Sequence, residues 1–576
     1  MTIGDRRCFS GQRISVAVAA SFAFFALVAV FWRPMIAGFL TDDWLVLVDP
    51  ITFSAAFSHD RWAGFEATQN RPVLRLILFL LTSLLPPQEI YWHSLGAALN
   101  VLAATCVFVL AADILRVGGF AALPAQIGGA FAGLLWLTFP FSAATQFWAT
   151  GTTSTPAVAA FAASGSLLLR GWQVSRNKLA VGALLSLVGY LNYEGHYFQI
   201  ALLLAYAAFV LGWRGTNGFF GVAFYVGAFG AAVSYNRLLR TFGADGSHGL
   251  NTKFVETFFH WYLYFGRMIG LTHQTVYGLL VVCAVAIGVA FYFALRRLDR
   301  RQPLWLCLAI GAMVVGGTGV LATLPLSMVE GAPLIAFGIA MLALLAWRIG
   351  DPNGSILPVG LLALAGICLG ALPFALANYV VFSLGFGARS TYALSLWLAL
   401  GFGLLAALAA QRNTRASLLG AALVWTGMLA SDLARGREWG RAASELLTIF
   451  VDPPEFPFGK SGPQARFLVV APELPGRVPV IEVNHHVAAT VRRAFVAQAN
   501  DEAKLAEIRA WDTRWFVARN LVWKTEWDGV RFTQRECRNA IRFTDTEISE
   551  LWLWDVRARS IRQLAPPYSS GCTDAP

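Results

Sequence analysis

The sequence predicts an all-α polytopic membrane protein of about 13 transmembrane helices, followed by a small α+β domain outside the membrane. Three features of the composition indicate this class: 57% of the 576 residues are hydrophobic, 13% are charged, and the mean hydropathy is +0.58. Soluble globular chains average about 45–50% apolar and about 25% charged residues. A single soluble globule could not hide this much apolar surface from water. The composition therefore excludes soluble, disordered and collagen-like proteins.

The helices are predicted from the length of the apolar stretches. A transmembrane helix needs about 20 mainly apolar residues. The stretches that meet this requirement lie near 14–33, 90–114, 126–147, 153–169, 179–195, 197–213, 218–235, 275–295, 303–324, 332–348, 356–376, 391–410 and 416–432.

The basic residues predict the orientation. Arg6, Arg7 and Arg13 precede the first span, which places the N-terminus in the cytoplasm because cytoplasmic loops carry an excess of Lys and Arg. Counting from there, every predicted inner loop is basic, through Arg116, Arg170, Arg176, Lys178, Arg214, Arg296, Arg297, Arg300, Arg301, Arg348, Arg412 and Arg415. The outer turns near 148–152, 195–197 and 325–331 contain no Lys or Arg. An odd number of spans then puts the C-terminus outside. The net charge of +11 is explained by these loops and does not indicate nucleic-acid binding.

The chain is predicted to divide into a transmembrane domain, 1–432, and an extracytoplasmic C-terminal domain, 433–576. Two long outer loops, 34–89 and 236–274, complete the predicted layout. Together with the C-terminal domain, they are expected to cover a cavity on the outer face.

The C-terminal domain has the composition of an ordinary soluble domain. Short alternating runs predict strands at Arg466–Val470, Trp515–Val517 and Val530–Thr533. A helical run, Val487–Ala510, lies between them. Cys537 and Cys572 can pair if this domain is extracytoplasmic, where disulfides persist.

Asp42 and Asp43 are the most informative candidate residues. They are adjacent carboxylates directly beyond the first span, within Thr41-Asp42-Asp43-Trp44. At a low-dielectric boundary, a like-charged neighbour disfavours ionisation of one carboxyl group and favours its use as a base or a metal ligand. The alternative is that Thr41 and Asp42 only cap a short interfacial helix.

Further polar and aromatic segments follow in the same order as in a known superfamily. These segments are Asn70-Arg71-Pro72-Val73, Tyr91-Trp92-His93, Gln146-Phe147-Trp148-Ala149-Thr150-Gly151, Tyr193-Glu194 and Gly387-Ala388-Arg389-Ser390-Thr391-Tyr392. With the Asp pair, this ordered set resembles the GT-C superfamily of polytopic glycosyltransferases. The resemblance implies that Asp42 or Asp43 is the catalytic carboxylate and that Glu194 is a second conserved acid. This sequence departs from the family pattern at Tyr193, where a lysine is common.

The chemistry of sugar transfer outside the cytoplasm suggests further residues. Cytosolic nucleotide sugars are absent there, so the donor is expected to be a sugar linked to a polyprenyl phosphate. Phosphate is already a good leaving group, and one carboxylate that accepts the acceptor's proton suffices. The departing phosphate needs positive charge, from a divalent cation or from an arginine. The candidate arginines are Arg389, Arg71 and Arg267, and a snorkelling interfacial anchor is the alternative role for Arg389. His59 and Tyr392 are accessory candidates.

The sequence thus predicts an inverting glycosyltransferase of the cell inner (plasma) membrane. It would transfer a sugar to a hydroxyl of a glycan, lipid or protein acceptor. Two alternatives stay open: a transporter or flippase for a lipid-linked or polar substrate, and an inactive relative that acts in assembly. Replacing both Asp42 and Asp43 by Asn is expected to leave folding intact and to abolish transfer.

Overall fold

The protein is described by a computed structural model, and the description covers most of the predicted membrane domain and much of the C-terminal region. The described residues are 15–36, 38–40, 43, 71–139, 143–213, 215–241, 356–376, 391–451, 464–470, 487, 514–518, 523–536, 542–556 and 558–571. The features predicted from the sequence that lie outside them are spans 275–295, 303–324 and 332–348, nearly all of the helical run Val487–Ala510, and the cysteines Cys537 and Cys572.

The membrane domain is a bundle of helices, with a helix at each predicted span among the described residues. The helices are α1 Val16–Val30, α2 Arg33–Ile36, α3 Pro72–Leu84, α4 Glu89–Val117, α5 Ala122–Leu137, α6 Ala143–Phe147, α7 Thr155–Gly171, α8 Arg176–Asn192, α9 Gln199–Leu211, α10 Gly215–Thr241, α11 Ile356–Leu376, α12 Tyr392–Arg412 and α13 Thr414–Val451. Single 3₁₀ turns, Gly151–Ser154 and Glu194–His196, join α6 to α7 and α8 to α9. Helix α3 lies within the first predicted outer loop, and α10 extends to Thr241, into the second.

Within the described part of the chain, four helices are long and apolar enough to cross a membrane. They are Val16–Met35, Glu89–Val117, Asn217–Arg237 and Tyr392–Arg412. Shorter apolar helices lie at Pro72–Leu84, Ala122–Leu137, Gln199–Leu211 and Pro358–Phe374. The structure is therefore that of a mostly helical membrane protein, and the total of about 13 spans stays a prediction.

The third predicted span, 126–147, differs from the structure. Helix α5 ends at Leu137, and α6 is a separate five-residue helix. The Gln146 side-chain amide donates hydrogen bonds to the carbonyls of Leu137, at 3.0 Å, and Phe139, at 3.2 Å. Pro140 follows in the sequence, and a helix usually ends at or before the residue preceding a proline. The prediction of one continuous helix here is wrong because the proline and the hydrogen bonds from Gln146 favour a helix end, although the composition stays apolar.

Helix α5 packs closely against α4 through two glycines. A Cβ atom at Gly129 would lie 2.7 Å from the carbonyl oxygen of Phe108, and one at Gly133 would lie 2.7 Å from that of Ala104. Both positions therefore need glycine, as the small-residue spacing of membrane helix interfaces predicts. The opposite face of α5 packs on α12.

The two ends of the bundle differ in charge. At one end, the Gln173 side chain donates to the Leu211 carbonyl (2.7 Å), and Arg170 pairs with Asp113 (Nε to Oδ2, 2.7 Å). This basic end carries Arg116, Arg170, Arg176, Lys178 and Arg412. The opposite end, here called the site end, contains residues 38–40 and Asp43, the start of α4, the end of α5 and the turns 151–154 and 194–196.

Helix α13 spans 38 residues, Thr414–Val451. At 1.5 Å per residue it is about 57 Å long. It continues without interruption through residue 432, where the sequence predicts the boundary between domains. The division at 432/433 stays a prediction.

The described C-terminal region contains two four-stranded sheets. The strands are β1 Ala465–Val470, β2 Trp515–Val517, β3 Trp523–Trp527, β4 Arg531–Glu536, β5 Arg542–Glu547, β6 Glu550–Asp555, β7 Ser560–Gln563 and β8 Tyr568–Ser570. One sheet has the order β2-β1-β6-β7, with β1 parallel to both neighbours, and the other is antiparallel with the order β5-β4-β3-β8. The three predicted strands are confirmed, with bounds that agree to within a few residues.

One apolar core lies between these sheets. Leu468 and Phe516 from the first sheet cluster with Trp527 and Phe532 from the second. The β3–β4 hairpin turns at Asp528-Gly529, where Gly529 has a φ of +109° that side chains rarely adopt. In the first sheet, consecutive residues of β1 and β2 are buried, so both faces of these two strands are covered.

Candidate functional site

The Asp43 carboxylate is held at the site end by two backbone amides. Its side chain is buried, with 1% of its surface exposed. Oδ2 accepts a hydrogen bond from Leu40 N (3.0 Å), and Oδ1 accepts one from Thr150 N (2.7 Å), 107 residues away in the sequence. Asp43 N donates in turn to the Leu40 carbonyl (2.8 Å). Hydrogen bonds to a charged acceptor are roughly twice as strong as neutral ones, so Asp43 joins the start of the chain to the turn before α7.

Two buried asparagines support the segment that carries Thr150. Asn100 of α4 donates to the Thr145 carbonyl (3.4 Å) and accepts from the Thr155 hydroxyl (3.2 Å). Asn192, at the end of α8, donates to the Thr153 carbonyl (3.2 Å). Such bonds satisfy backbone groups that would otherwise be buried without partners. These bonds hold the 3₁₀ turn Gly151–Ser154 between α6 and α7, in the region where the sequence predicts an outer turn near 148–152.

Arg71 lies against an aromatic cluster close to this turn. Only 3% of its surface is exposed, and its guanidinium carbon is 4.2 Å from the centroid of the Tyr193 ring. The Tyr193 ring contacts that of Tyr392 at 5.4 Å, edge to face. A guanidinium over an aromatic face is stabilised by about 0.5–2 kcal/mol, with the larger value in desolvated sites. The cluster therefore holds a buried positive charge.

Helix α3 relates Arg71 to Asp43. It begins at Pro72, directly after Arg71, and packs on α8 and on the 3₁₀ turn Gly151–Ser154. The same turn follows Thr150, which binds Asp43. The buried carboxylate and the buried guanidinium thus belong to the same end of the bundle.

The ring of His196 also packs against the Tyr392 ring. Its ring stacks on Phe161 (4.4 Å between centroids) and lies 5.3 Å from the Tyr392 ring. Its Nδ1 hydrogen-bonds Gln199 Oε1 at 2.5 Å, and the Gln199 amide donates to the Ala393 carbonyl at 3.0 Å. Because the Gln199 oxygen is the acceptor, Nδ1 of His196 carries the proton. Burial lowers the pKa of His196 to about 4, against the opposing effect of the Gln199 hydrogen bond, so the ring is neutral at pH 7.

A buried ion pair fixes the chain just before the Asp pair. Arg33 Nη2 donates to Asp432 Oδ2 of α13 (3.0 Å) and to the Leu137 carbonyl at the end of α5 (2.8 Å). The exposed fractions of the two side chains are 1% and 0%. The Arg33 guanidinium carbon also lies 5.4 Å from the centroid of the Phe147 ring. Three elements of the site end are therefore tied together by one side chain.

The structure places the predicted residues as follows. Asp43, Arg71 and Tyr392 are buried at the site end, and the backbone of Glu194 forms the 3₁₀ turn next to Tyr193. The candidates outside the described residues are Asp42, His59, Arg267 and Arg389. Among the described residues, no group of three His, Cys, Asp or Glu side chains could hold a metal ion.

Sequence reasoning missed Asn192, Arg33 and Asp432. Arg33 and Asp432 lie at the ends of predicted spans 14–33 and 416–432. A charge inside a span costs on the order of 2.5–3.5 kcal/mol, so each charge signals that a partner is present. The sequence contains that signal, but it does not identify the partner.

Comparison with known proteins gives similarity at the level of solved structures. No family model and no curated protein matches the chain. The structure is similar to the crystal structure of the oligosaccharyltransferase of Archaeoglobus fulgidus, tethered to an acceptor peptide that contains the NVT sequon. The identity is 12%, the TM-score is 0.36, and the match covers 79% of this chain and 61% of the other.

That neighbour is an enzyme of the GT-C class, the class that the sequence resembles. This chain spans about 61% of the neighbour's length. A likeness of this extent does not assign an activity.

Proposed function

We propose that the chain is a membrane glycosyltransferase that moves a sugar from a polyprenyl-phosphate-linked donor to an acceptor hydroxyl on the extracytoplasmic side of the cell inner membrane. One observation carries the proposal. A buried carboxylate, Asp43, is fixed by two backbone amides at the end of the bundle that lacks the basic cluster, and a second carboxylate, Asp42, is its neighbour in sequence. Buried charges are costly and are retained where they serve a site.

In this mechanism the two aspartates have different roles. Both oxygens of Asp43 already accept backbone hydrogen bonds, so this carboxylate is occupied in holding the backbone. Asp42 is therefore the general base, and Asp43 is a positioning residue that orders the backbone around it. General-base catalysis of this kind contributes about 10²–10⁴ in rate.

The transfer is a single displacement with inversion. Asp42 accepts the proton of the acceptor hydroxyl, the hydroxyl oxygen forms a bond to the anomeric carbon, and the bond from that carbon to the phosphate oxygen breaks. The polyprenyl phosphate leaves with the electron pair. Positive charge near the phosphate stabilises the transition state, and the assigned groups are Arg71 and Arg389, with Arg267 or a divalent cation as further candidates.

The environment of Arg71 supports its assignment. Its guanidinium lies over Tyr193, the residue that stands where the family resemblance leads one to expect a lysine. The positive charge of Arg71, from the first outer loop, thus takes the place of the expected lysine. Arginine also matches phosphate oxygens with two parallel N–H groups, which lysine cannot do.

The proposed topology has about 13 spans, with a cytoplasmic N-terminus and an extracytoplasmic C-terminal domain at 433–576. The gathering of Arg116, Arg170, Arg176, Lys178 and Arg412 at one end of the bundle supports this orientation, since Lys and Arg concentrate on the cytoplasmic side. The site end then faces outward, where membrane-borne donors are available.

The proposal is tested with purified protein in lipid nanodiscs. A panel of polyprenyl-phosphate hexoses and pentoses with radiolabelled sugars is supplied, together with an envelope extract as the source of acceptors. We expect label transfer by the wild type, a loss of at least 100-fold with Asp42→Asn, and partial activity with Asp42→Glu, which keeps a carboxylate. Full activity of Asp42→Asn contradicts the mechanism. Movement of lipid-linked sugar across vesicles without any transfer would instead identify a flippase.

A further inference from the structure

Residues 38–40, which lie shortly before the Asp pair in the sequence, are held by the first turns of α4. The backbone N–H of Phe39 donates to the Glu89 carboxylate (Oε1, 3.2 Å), and the ring of His93, one turn further on, lies beside the Phe39 ring. Leu40, next in the chain, exchanges two hydrogen bonds with Asp43. A continuous set of hydrogen bonds therefore runs from α4 through residues 38–40 to Asp43.

Side-chain packing confines the same segment. Phe39 is 1% exposed, and its ring lies 6.2 Å from those of Trp92 and His93. A Cβ atom at Gly38 would lie 2.7 Å from the Cβ of Ala443 on α13, so the backbone is pressed between two helices. The hydrogen bond from Phe39 N to Glu89 thus acts on a segment with little freedom to shift.

We propose that Glu89 is a positioning residue for the active site: its carboxylate fixes the backbone of residues 38–40 and, through Leu40, the placement of Asp43. The catalytic consequence rests on the proposed function. The structural consequence, an ordered 38–40 segment, does not. In a transferase, a misplacement of about 1 Å in a reacting group lowers the rate by about 100-fold.

A purely structural role for Glu89 predicts a different outcome. Glu89 is the first residue of α4, and an acid there also stabilises the helix dipole. Glu89→Gln removes the charge but keeps an oxygen that can accept from Phe39 N, whereas Glu89→Ala removes both. Gln88 provides a matched control, since it is exposed and its side chain makes no capping hydrogen bond to α4.

The experiment compares Glu89→Ala, Glu89→Gln and Gln88→Ala in nanodiscs. Two measurements are made: amide hydrogen exchange of the peptide containing Phe39 and Leu40, and the kcat and KM of sugar transfer. With Glu89→Ala we expect exchange about tenfold faster or more and a kcat lower by at least tenfold at unchanged KM. Glu89→Gln should restore both values to within about threefold, and Gln88→Ala should change neither.

Two results overturn the proposal: unchanged exchange and kcat in Glu89→Ala, or a Glu89→Gln variant as impaired as Glu89→Ala, which would assign the effect to the helix charge. If the wild type transfers no sugar from any donor, the proposed function fails on its own. The exchange comparison still decides whether Glu89 orders the segment, and unchanged exchange in Glu89→Ala overturns that as well.

Discussion

Replacing Asp43 alone by Asn tests whether this residue anchors the site. The two oxygens of Asp43 accept from Leu40 N and Thr150 N, and the side chain is fully buried. An asparagine has one oxygen and one NH₂ group, so its NH₂ must face one of these backbone N–H groups. The oxygen is expected to keep the shorter bond, to Thr150, and to leave Leu40 N without an acceptor.

The expected cost is the loss of one hydrogen bond to a charged group together with a buried, unsatisfied donor. Hydrogen bonds to charged groups contribute about 1.5–3 kcal/mol, and an unsatisfied buried donor costs about 1–3 kcal/mol. Because these terms overlap, we expect a local destabilisation of about 2–4 kcal/mol. At ~1.4 kcal/mol for each factor of ten, the Leu40 amide should exchange roughly 30- to 700-fold faster.

Hydrogen exchange and thermal unfolding, followed by tryptophan fluorescence, measure this effect in detergent or nanodiscs. Asp43→Ala should release Leu40 and Thr150 together, whereas Asp42→Asn should leave both amides protected and abolish only transfer. The expectation that replacing both aspartates leaves folding intact is therefore revised, because Asp43 is part of the fold. Equal protection of both amides in Asp43→Asn and the wild type would refute the reasoning.

Two further predictions concern buried groups. Arg33→Met alone leaves Asp432 buried without its cation and should lower the free energy of unfolding by about 3–5 kcal/mol. Adding Asp432→Leu should recover most of the stability, because apolar replacement of a buried pair is often neutral and the Leu137 carbonyl keeps its hydrogen bond from Gln146. A double variant with a melting temperature no higher than that of Arg33→Met contradicts this prediction. For His196, the folded pKa of about 4 lies below the unfolded value of ~6.5, so the unfolded state binds more protons between these pH values and stability falls by roughly 3 kcal/mol as the pH drops from 7 to 4. His196→Asn should remove this part of the pH dependence in thermal unfolding, and an identical slope in both proteins would count against the assignment.

Secondary structure was largely predictable because it depends on local pattern. Apolar stretches of membrane length correspond to helices throughout the described part of the membrane domain, and alternating runs such as Trp515–Val517 correspond to strands. The exception at Leu137 is instructive, since the apolar composition continues while the helix ends. Pro140 and the hydrogen bonds from the Gln146 side chain favour the helix end, and neither effect is visible in the apolar composition.

The candidate site was predicted in part. The sequence identified the Asp pair, Arg71 and Tyr392 by order and residue type, and the structure brings Asp43, Arg71 and Tyr392 to one end of the bundle. The sequence did not identify Glu89 or Asn192, because their contacts are with backbone atoms of distant segments. Such contacts depend on the path of the chain and leave no motif.

The sequence by itself determined that this chain is a helical membrane protein with a strand-containing C-terminal region, because the transfer of apolar residues out of water and local backbone preferences act residue by residue. The tertiary structure alone decided that the Asp43 carboxylate is bound by the amide of Thr150, 107 residues away, that the Arg71 guanidinium lies on Tyr193, and that Arg33 pairs with Asp432. These pairings form only after the helices have packed, when burial makes an unsatisfied charge or amide costly enough to select its partner.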